Sequence, residues 1–382
     1  MGIRDQVAIA GVGETEYKRK HDRHLPALIV EAGRNAIEDA GLHPEDIDGL
    51  VSIAGQPPAD ELAVGLGIRD RRYTGINGYC AGAGTVGAAM EAAFALRAGL
   101  ANAVLVTYGI QTSRPGGPYS FHSREPLKAD LEMPFGYFGQ PVYFGAMAQR
   151  YAHLYGLTER QLAAIPIAHR DFASRTPGAQ KADPLDFDGY LASPMIAEPL
   201  RNLDCCLITD GAAGYVMTTL ERARDLRHRP AVMAGVACAS LPVTLAEMFT
   251  QNRDFLQFAA SMSSRDAYRM AGITAKDVDF AEIYDCFTIS VILQLEQMGF
   301  CATGEAAAFA ADGEIGAGGS LPVNTHGGHL SHGYVPGMNH IVEAVRQVRR
   351  ERGLGQLART DVCAIGGLGG NDHATMVLTA DR

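Results

Sequence analysis

Short apolar runs alternate along the chain with longer stretches in which apolar or small residues return every three to four positions. The runs Gly49–Ser52, Ala103–Tyr108, Tyr215–Thr218, Phe280–Tyr284 and Val362–Ile365 predict strands. The segments Thr85–Arg97, Tyr143–Leu154, Glu159–Phe172 and Met338–Arg349 predict helices. Strands and helices in alternation over 382 residues predict an α/β fold.

The pattern repeats. Ala36-Ile37-Glu38-Asp39-Ala40-Gly41-Leu42-His43-Pro44-Glu45-Asp46-Ile47-Asp48 is matched by Ala267-Tyr268-Arg269-Met270-Ala271-Gly272-Ile273-Thr274-Ala275-Lys276-Asp277-Val278-Asp279. Each reads as a helix stopped by glycine, an acidic turn and a strand. A Gly-rich loop, a helix and another strand follow in both places. Two duplicated halves are therefore expected, 1–230 carrying Cys80 and 231–382 carrying Tyr284 and Tyr334. Residues of about 110–200 match neither half. Their Pro, Gly and aromatic content, as in Ser113-Arg114-Pro115-Gly116-Gly117-Pro118-Tyr119, predicts an insertion over the site.

Composition narrows the function. A net charge of −10 argues against nucleic acid as a partner, and no apolar run reaches membrane-spanning length. The seven cysteines contain no C-x-x-C pair, so neither a zinc site nor a disulfide frame is expected. With Met1–Asp5 leading into a strand, a reducing cytoplasm is the expected compartment.

Candidate chemistry begins at Cys80, in Asn77-Gly78-Tyr79-Cys80-Ala81-Gly82-Ala83-Gly84, immediately before a helix. Free backbone N–H groups and the helix dipole favour a thiolate there, and glycines let a ligand carbonyl approach. The reading is acyl chemistry on sulfur.

Four segments resemble the thiolase superfamily, most closely the sterol-carrier-protein-type thiolases and their bacterial relatives. They are the Cys80 loop, Tyr284-Asp285-Cys286-Phe287, Asn324-Thr325-His326-Gly327-Gly328-His329-Leu330-Ser331-His332-Gly333-Tyr334-Val335-Pro336-Gly337, and Asp204-Cys205-Cys206 with Thr209-Asp210-Gly211-Ala212. The resemblance implies a duplicated five-layered α-β-α-β-α fold. It also implies coenzyme A as a substrate with no permanently bound cofactor, and Cys80, Tyr284, Cys286 and Tyr334 as catalytic residues. His332, His340 and Cys363 are secondary candidates. Backbone groups of Gly328, Gly367, Gly369 and Gly370 are expected near the thioester, and Arg114, Arg170 and Arg201 are options for the coenzyme A phosphates.

Tyr284 and Tyr334 stand where ordinary thiolases carry histidine. A phenol is a poor base for a thiol but a good donor. Paired tyrosines resemble the thiolase-like aldolases that shorten steroid side chains, whereas a retained Cys80 resembles a thiolase. The first reading is thiolysis of a bulky 3-oxoacyl-CoA through Cys80. The alternative is retro-aldol cleavage of a branched 3-hydroxyacyl-CoA by the tyrosines, and the second alternative is a scaffold that binds acyl-CoA or lipid. The resemblance further implies a homodimer core and a small zinc-ribbon/OB-fold subunit, giving a heterotetramer.

Overall fold

The computed structural model describes residues 2–113, 126–137, 139–243, 252 and 254–381. Its strands are β1 (Val7–Glu14), β2 (Gly49–Ile53), β3 (Tyr73–Asn77), β4 (Ala103–Gln111), β5 (Met195–Ala197), β6 (Leu200–Arg201), β7 (Asp210–Thr219), β8 (Ala231–Ser240), β9 (Phe280–Ile283), β10 (Val362–Gly369) and β11 (Asp372–Ala380). Its α-helices are α1 (Leu25–Asp39), α2 (Ala59–Leu66), α3 (Ala81–Arg97), α4 (Gln140–Tyr155), α5 (Glu159–Ser174), α6 (Phe187–Leu191), α7 (Leu220–Arg224), α8 (Ala260–Ala271), α9 (Thr288–Gln297), α10 (Ala306–Ala311), α11 (Gly328–Ser331) and α12 (Met338–Arg349).

Nine strands form one mixed sheet in the order β3-β2-β4-β7-β1-β8-β11-β10-β9. The two halves meet where β1 pairs with β8, at Ala8–Val232 and Ile9–Ala231. Outward from that seam the order is β1-β7-β4-β2-β3 on one side and β8-β11-β10-β9 on the other. Val323 bridges in parallel to Ala281 where, among the described residues, the second half has no counterpart strand to β3. The repeat in sequence is thus a repeat in topology. Asn77 closes β3 three residues before Cys80, and Asn324 follows Val323 three residues before Gly327.

Helix α1 covers β1, β4 and β7 from outside, and α8 covers β8 and β11. Helices α3 and α12 lie between, each touching strands of both halves, which completes the five layers. Helix α3 suits that position because most of its face is Gly or Ala, and these residues are buried. A Cβ on Gly367 would come within 2.1 Å of the Gly82 carbonyl oxygen, so β10 and α3 touch through backbone alone. Helix α12 buries Ile341, Val342, Val345 and Val348, each contributing roughly 1.5–3 kcal/mol of apolar transfer.

The insertion differs from expectation in where its helices pack. Helices α4 and α5 lie on α9, and α5 also lies on α10 and α11, all of the second half. Phe144 stacks on Phe287 at 4.4 Å. Their apolar faces are therefore core, and residues 114–125 of the insertion lie outside the described residues. Among the described residues no helix is long and apolar enough to cross a membrane.

Candidate active site

The Cys80 loop is positioned by α3 and β10. Cys80 is the N-cap of α3, and the next residue, Ala81, holds φ +48, a strained left-handed conformation for a side-chain-bearing residue. The Cys80 thiol donates a weak bond to the Gly369 carbonyl at 3.5 Å. A Cβ on Gly369 would lie 2.5 Å from the Cys80 carbonyl oxygen. Gly82 has no room either, because a Cβ there would meet the Tyr284 ring at 2.4 Å. The glycines of this loop and strand therefore bring Cys80 and Tyr284 to one place.

Tyr284 follows β9 and is fixed at both backbone ends. Its N–H donates to the Gly366 carbonyl at 2.9 Å, and its carbonyl accepts from Gln294 Nε2 at 2.8 Å. Asn324, at φ +55, accepts from Ile283 N–H at 2.7 Å and donates to the Ile283 carbonyl at 2.8 Å, closing the strand just before Tyr284. Tyr334 is held from the other side, its N–H donating to Thr209 Oγ1 at 2.8 Å. Gln180 also donates to that oxygen, at 2.6 Å.

The two phenols meet. Tyr284 and Tyr334 hydroxyls lie 2.9 Å apart, a good O–H···O distance. Tyr284 is buried and Tyr334 half-buried. Both stand well above the ordinary phenol value, through burial first and then their thiol and phenol neighbours. His329 packs edge-on against both rings, at 4.8 and 5.0 Å.

Behind them lies a buried polar shell centred on Asp285. Its carboxylate accepts from His329 N–H at 2.8 Å, Leu330 N–H at 3.3 Å and His340 Nε2 at 3.1 Å. His169 Nδ1 and His329 Nδ1 stand 3.0 and 3.2 Å from it. These imidazoles and hydrogen bonds outweigh burial and hold Asp285 well below the ordinary carboxylate range. Gly328 (φ +61) is required there, since a Cβ would fall 2.0 Å from Asp285 Oδ2.

Several sequence-based expectations change. The Cys80 thiol is raised, not lowered, because partial desolvation and the Asp372 carboxylate outweigh the backbone donor. Cys286 is buried and pushed up to about 12 by that burial, with its sulfur 3.7 Å from Ser290 Oγ. Cys363 is fully buried in the core, six residues along β10 from Gly369, about 20 Å at strand rise. His332 turns inward against Tyr17 at 5.1 Å, and burial lowers it to about 3. His340 serves Asp285. A Cβ on Gly328 would meet Asp285 and one on Gly367 would meet Gly82; Gly369 supports the Cys80 loop, and Gly370 (φ +73) makes the β10–β11 turn.

Arg170 bonds Ser331 Oγ at 3.0 Å, and Arg201 bonds the Leu191 and Ser193 carbonyls. Both guanidiniums are thus engaged within the chain. Arg114 lies outside the described residues. Sequence reasoning missed Tyr108, Gln56 and the Asp285 shell. Tyr108 is raised to about 12, by burial and then by Cys80, and Gln56 bonds its side chain. The spacing His326-x-x-His329-x-x-His332 was the available signal for the shell.

Residues 243–380 match the family described as thiolase C-terminal domain-like. The chain is 37% identical over 356 residues to a 17-hydroxy-3-oxo-4-pregnene-20-carboxyl-CoA lyase of Mycobacterium tuberculosis, covering 90% of this chain and 92% of that one. It is 36% identical to a steroid side-chain-cleaving aldolase of Thermomonospora curvata, over 90% of each. The solved Ltp2-ChsH2(DUF35) aldolase superposes with a TM-score of 0.93 at 33% identity, covering all of both chains.

Proposed function

This chain belongs to the thiolase superfamily, in its sterol-carrier-protein-type branch, and we propose that it cleaves a branched 3-hydroxyacyl-CoA by retro-aldol chemistry. The observation that carries the reading is the 2.9 Å bond between the Tyr284 and Tyr334 hydroxyls. A retro-aldol cut takes the proton from the β-hydroxyl, turns that carbon into a carbonyl and breaks the Cα–Cβ bond. The electron pair goes to a thioester enolate, which takes a proton at Cα.

Two bonded phenols perform this as a relay. One accepts the substrate proton while handing its own to the other, and the second protonates the enolate carbon. One proton enters and one leaves, so no free phenolate accumulates. That suits phenols held above their ordinary value, for which ionisation at neutral pH is unfavourable. The relatives named for steroid side-chain cleavage favour the same reaction and a steroid acyl group.

Thiolysis is supported less well. It needs a thiolate, and the Cys80 thiol is raised. The histidines proposed to activate it face the interior. The test is product analysis with purified enzyme. A 3-hydroxyacyl-CoA without free coenzyme A should give a ketone and a shortened acyl-CoA; turnover of only a 3-oxoacyl-CoA plus coenzyme A would reverse the reading.

We also propose a homodimer with two small zinc-ribbon/OB-fold subunits. Strand β3 ends the sheet with one unpaired edge, and its Ile76 is 75% exposed, which supports pairing with a second copy. The two components named in the Ltp2-ChsH2(DUF35) aldolase support the accessory subunit. Cytoplasmic location is part of the same proposal.

A further inference from the structure

One set of side chains in the buried shell does not close on itself. Glu282, His326 and His340 each offer one ligand-type atom, and these atoms lie within 4.8 Å of one another, all three residues being buried. Glu282 Oε2, His326 Nδ1 and His340 Nδ1 are enclosed without a hydrogen-bond partner. Glu282 Oε2 and His326 Nδ1 are only 3.1 Å apart, yet they are not aimed at each other for a hydrogen bond.

The other polar atom of each residue is held from behind. Glu282 Oε1 accepts from Thr325 N–H at 3.0 Å and from its hydroxyl at 2.9 Å. His340 Nε2 donates to Asp285 Oδ1 at 3.1 Å. His326 Nε2 lies 3.1 Å from the Asn339 side-chain amide. One atom free toward a shared point and the other fixed by a neighbour is how metal ligands are oriented.

We propose that Glu282, His326 and His340 bind one divalent transition-metal ion, zinc by ligand type. Two imidazole nitrogens and one carboxylate oxygen suit zinc. With bonds of about 2.0–2.1 Å, tetrahedral ligand atoms stand about 3.3 Å apart, close to the 3.1 Å of the Glu282–His326 pair. Charge agrees. Glu282, Asp285 and Glu343 gather here, and the Arg352 guanidinium, 2.7 Å from Glu343, neutralises one of them. A divalent ion balances the other two.

A second set, Asp285 with His329 and His340, shares His340. It is the weaker site because Asp285 already accepts two backbone N–H bonds. As placed, the Asn339 amide nitrogen faces His326 Nε2 at 3.1 Å and donates to the Gly333 carbonyl at 2.9 Å, while its oxygen lies 3.1 Å from His329 Nε2. An ion on His326 Nδ1 leaves the proton on Nε2, so the amide turns over with it, giving up the Gly333 bond for one from its nitrogen to His329 Nε2. His326 and His340 flank Tyr334 in sequence, so the ion ties both ends of the segment that presents this phenol. It is a structural ion that does not touch substrate.

The experiment is elemental analysis of the full chain, purified without a polyhistidine tag or chelator. About one zinc per chain is expected. The isosteric Glu282→Gln and, separately, His340→Ala should lose it, while His153→Ala, on the exposed side of α4, and Cys80→Ala should keep it. Stripping the ion with dipicolinate should lower the melting temperature of the wild type by several degrees and leave Glu282→Gln unchanged. X-ray absorption on the wild type, which depends on no variant, should read imidazole and oxygen ligation. Wild-type protein without a transition metal that is unmoved by added zinc, metal that persists in both ligand variants, or sulfur ligation would each overturn the site.

Discussion

Replacing Tyr334 with phenylalanine removes one oxygen and little else. That oxygen is the described partner of the Tyr284 hydroxyl, 2.9 Å away. Tyr284 is 3% exposed, so its hydroxyl is left with poor access to water. An unmet buried hydroxyl costs about 1–3 kcal/mol, and the half-buried position of Tyr334 lets water follow the lost group, which favours the lower end. The fold should survive, with a melting temperature a few degrees down. Catalysis should not survive well. A relay through two phenols is broken by losing either, and acid–base participation is worth about 10²–10⁴-fold in rate, or about 3–5 kcal/mol of barrier. Steady-state turnover of a 3-hydroxyacyl-CoA, with circular dichroism and a melting curve on the same preparation, measures both. Tyr284→Phe should match it, and the double variant should lose little more than either single one, because the two act as a unit. Folded Tyr334→Phe with turnover within a few-fold of wild type would refute the relay.

Cys80→Ala should keep retro-aldol turnover within about tenfold, since the only hydrogen bond described for the sulfur is the weak one to Gly369 at 3.5 Å; a loss comparable to removing a nucleophile would favour thiolysis. Gly367→Ala should cost at least about 1–3 kcal/mol by denaturant melts, because its Cβ would meet the Gly82 backbone, which has no flexible end to move. His332 and His373 are both lowered to about 3, chiefly by burial. The unfolded chain therefore takes up two protons near pH 6.5 that the folded chain refuses, so the stability is present above that pH. It should fall by about 2–3 kcal/mol per pH unit as pH drops from 6 toward 3, and melting temperatures that stay flat from pH 7 to 5 would contradict the burial.

Much of the site was legible because it is local. The glycines around Cys80 and the small residues of α3 announce a helix start under close packing, and the structure puts backbone against backbone there. The Tyr284 and Tyr334 segments were legible as motifs. What the sequence could not disclose lies in contacts across the chain. The thiol was expected to be acidic from its own helix, yet partial desolvation opposes ionisation, and so does the Asp372 carboxylate brought in by the β10–β11 turn. The insertion helices carried an apolar face with no indication of its partner, which is α9 of the other half. Arg170 and Arg201 were only options for the coenzyme A phosphates, and their side-chain bonds to Ser331 and to the Leu191 carbonyl leave no periodic trace in the sequence.

The most direct measurement is the intact mass of the wild-type chain, quenched during turnover of a 3-hydroxyacyl-CoA and then digested to locate any addition. Cleavage by two phenols without a covalent intermediate predicts the unmodified mass at every time point, with the peptide holding Cys80 unchanged. An acyl group that appears on that cysteine and disappears at the rate of turnover would contradict it.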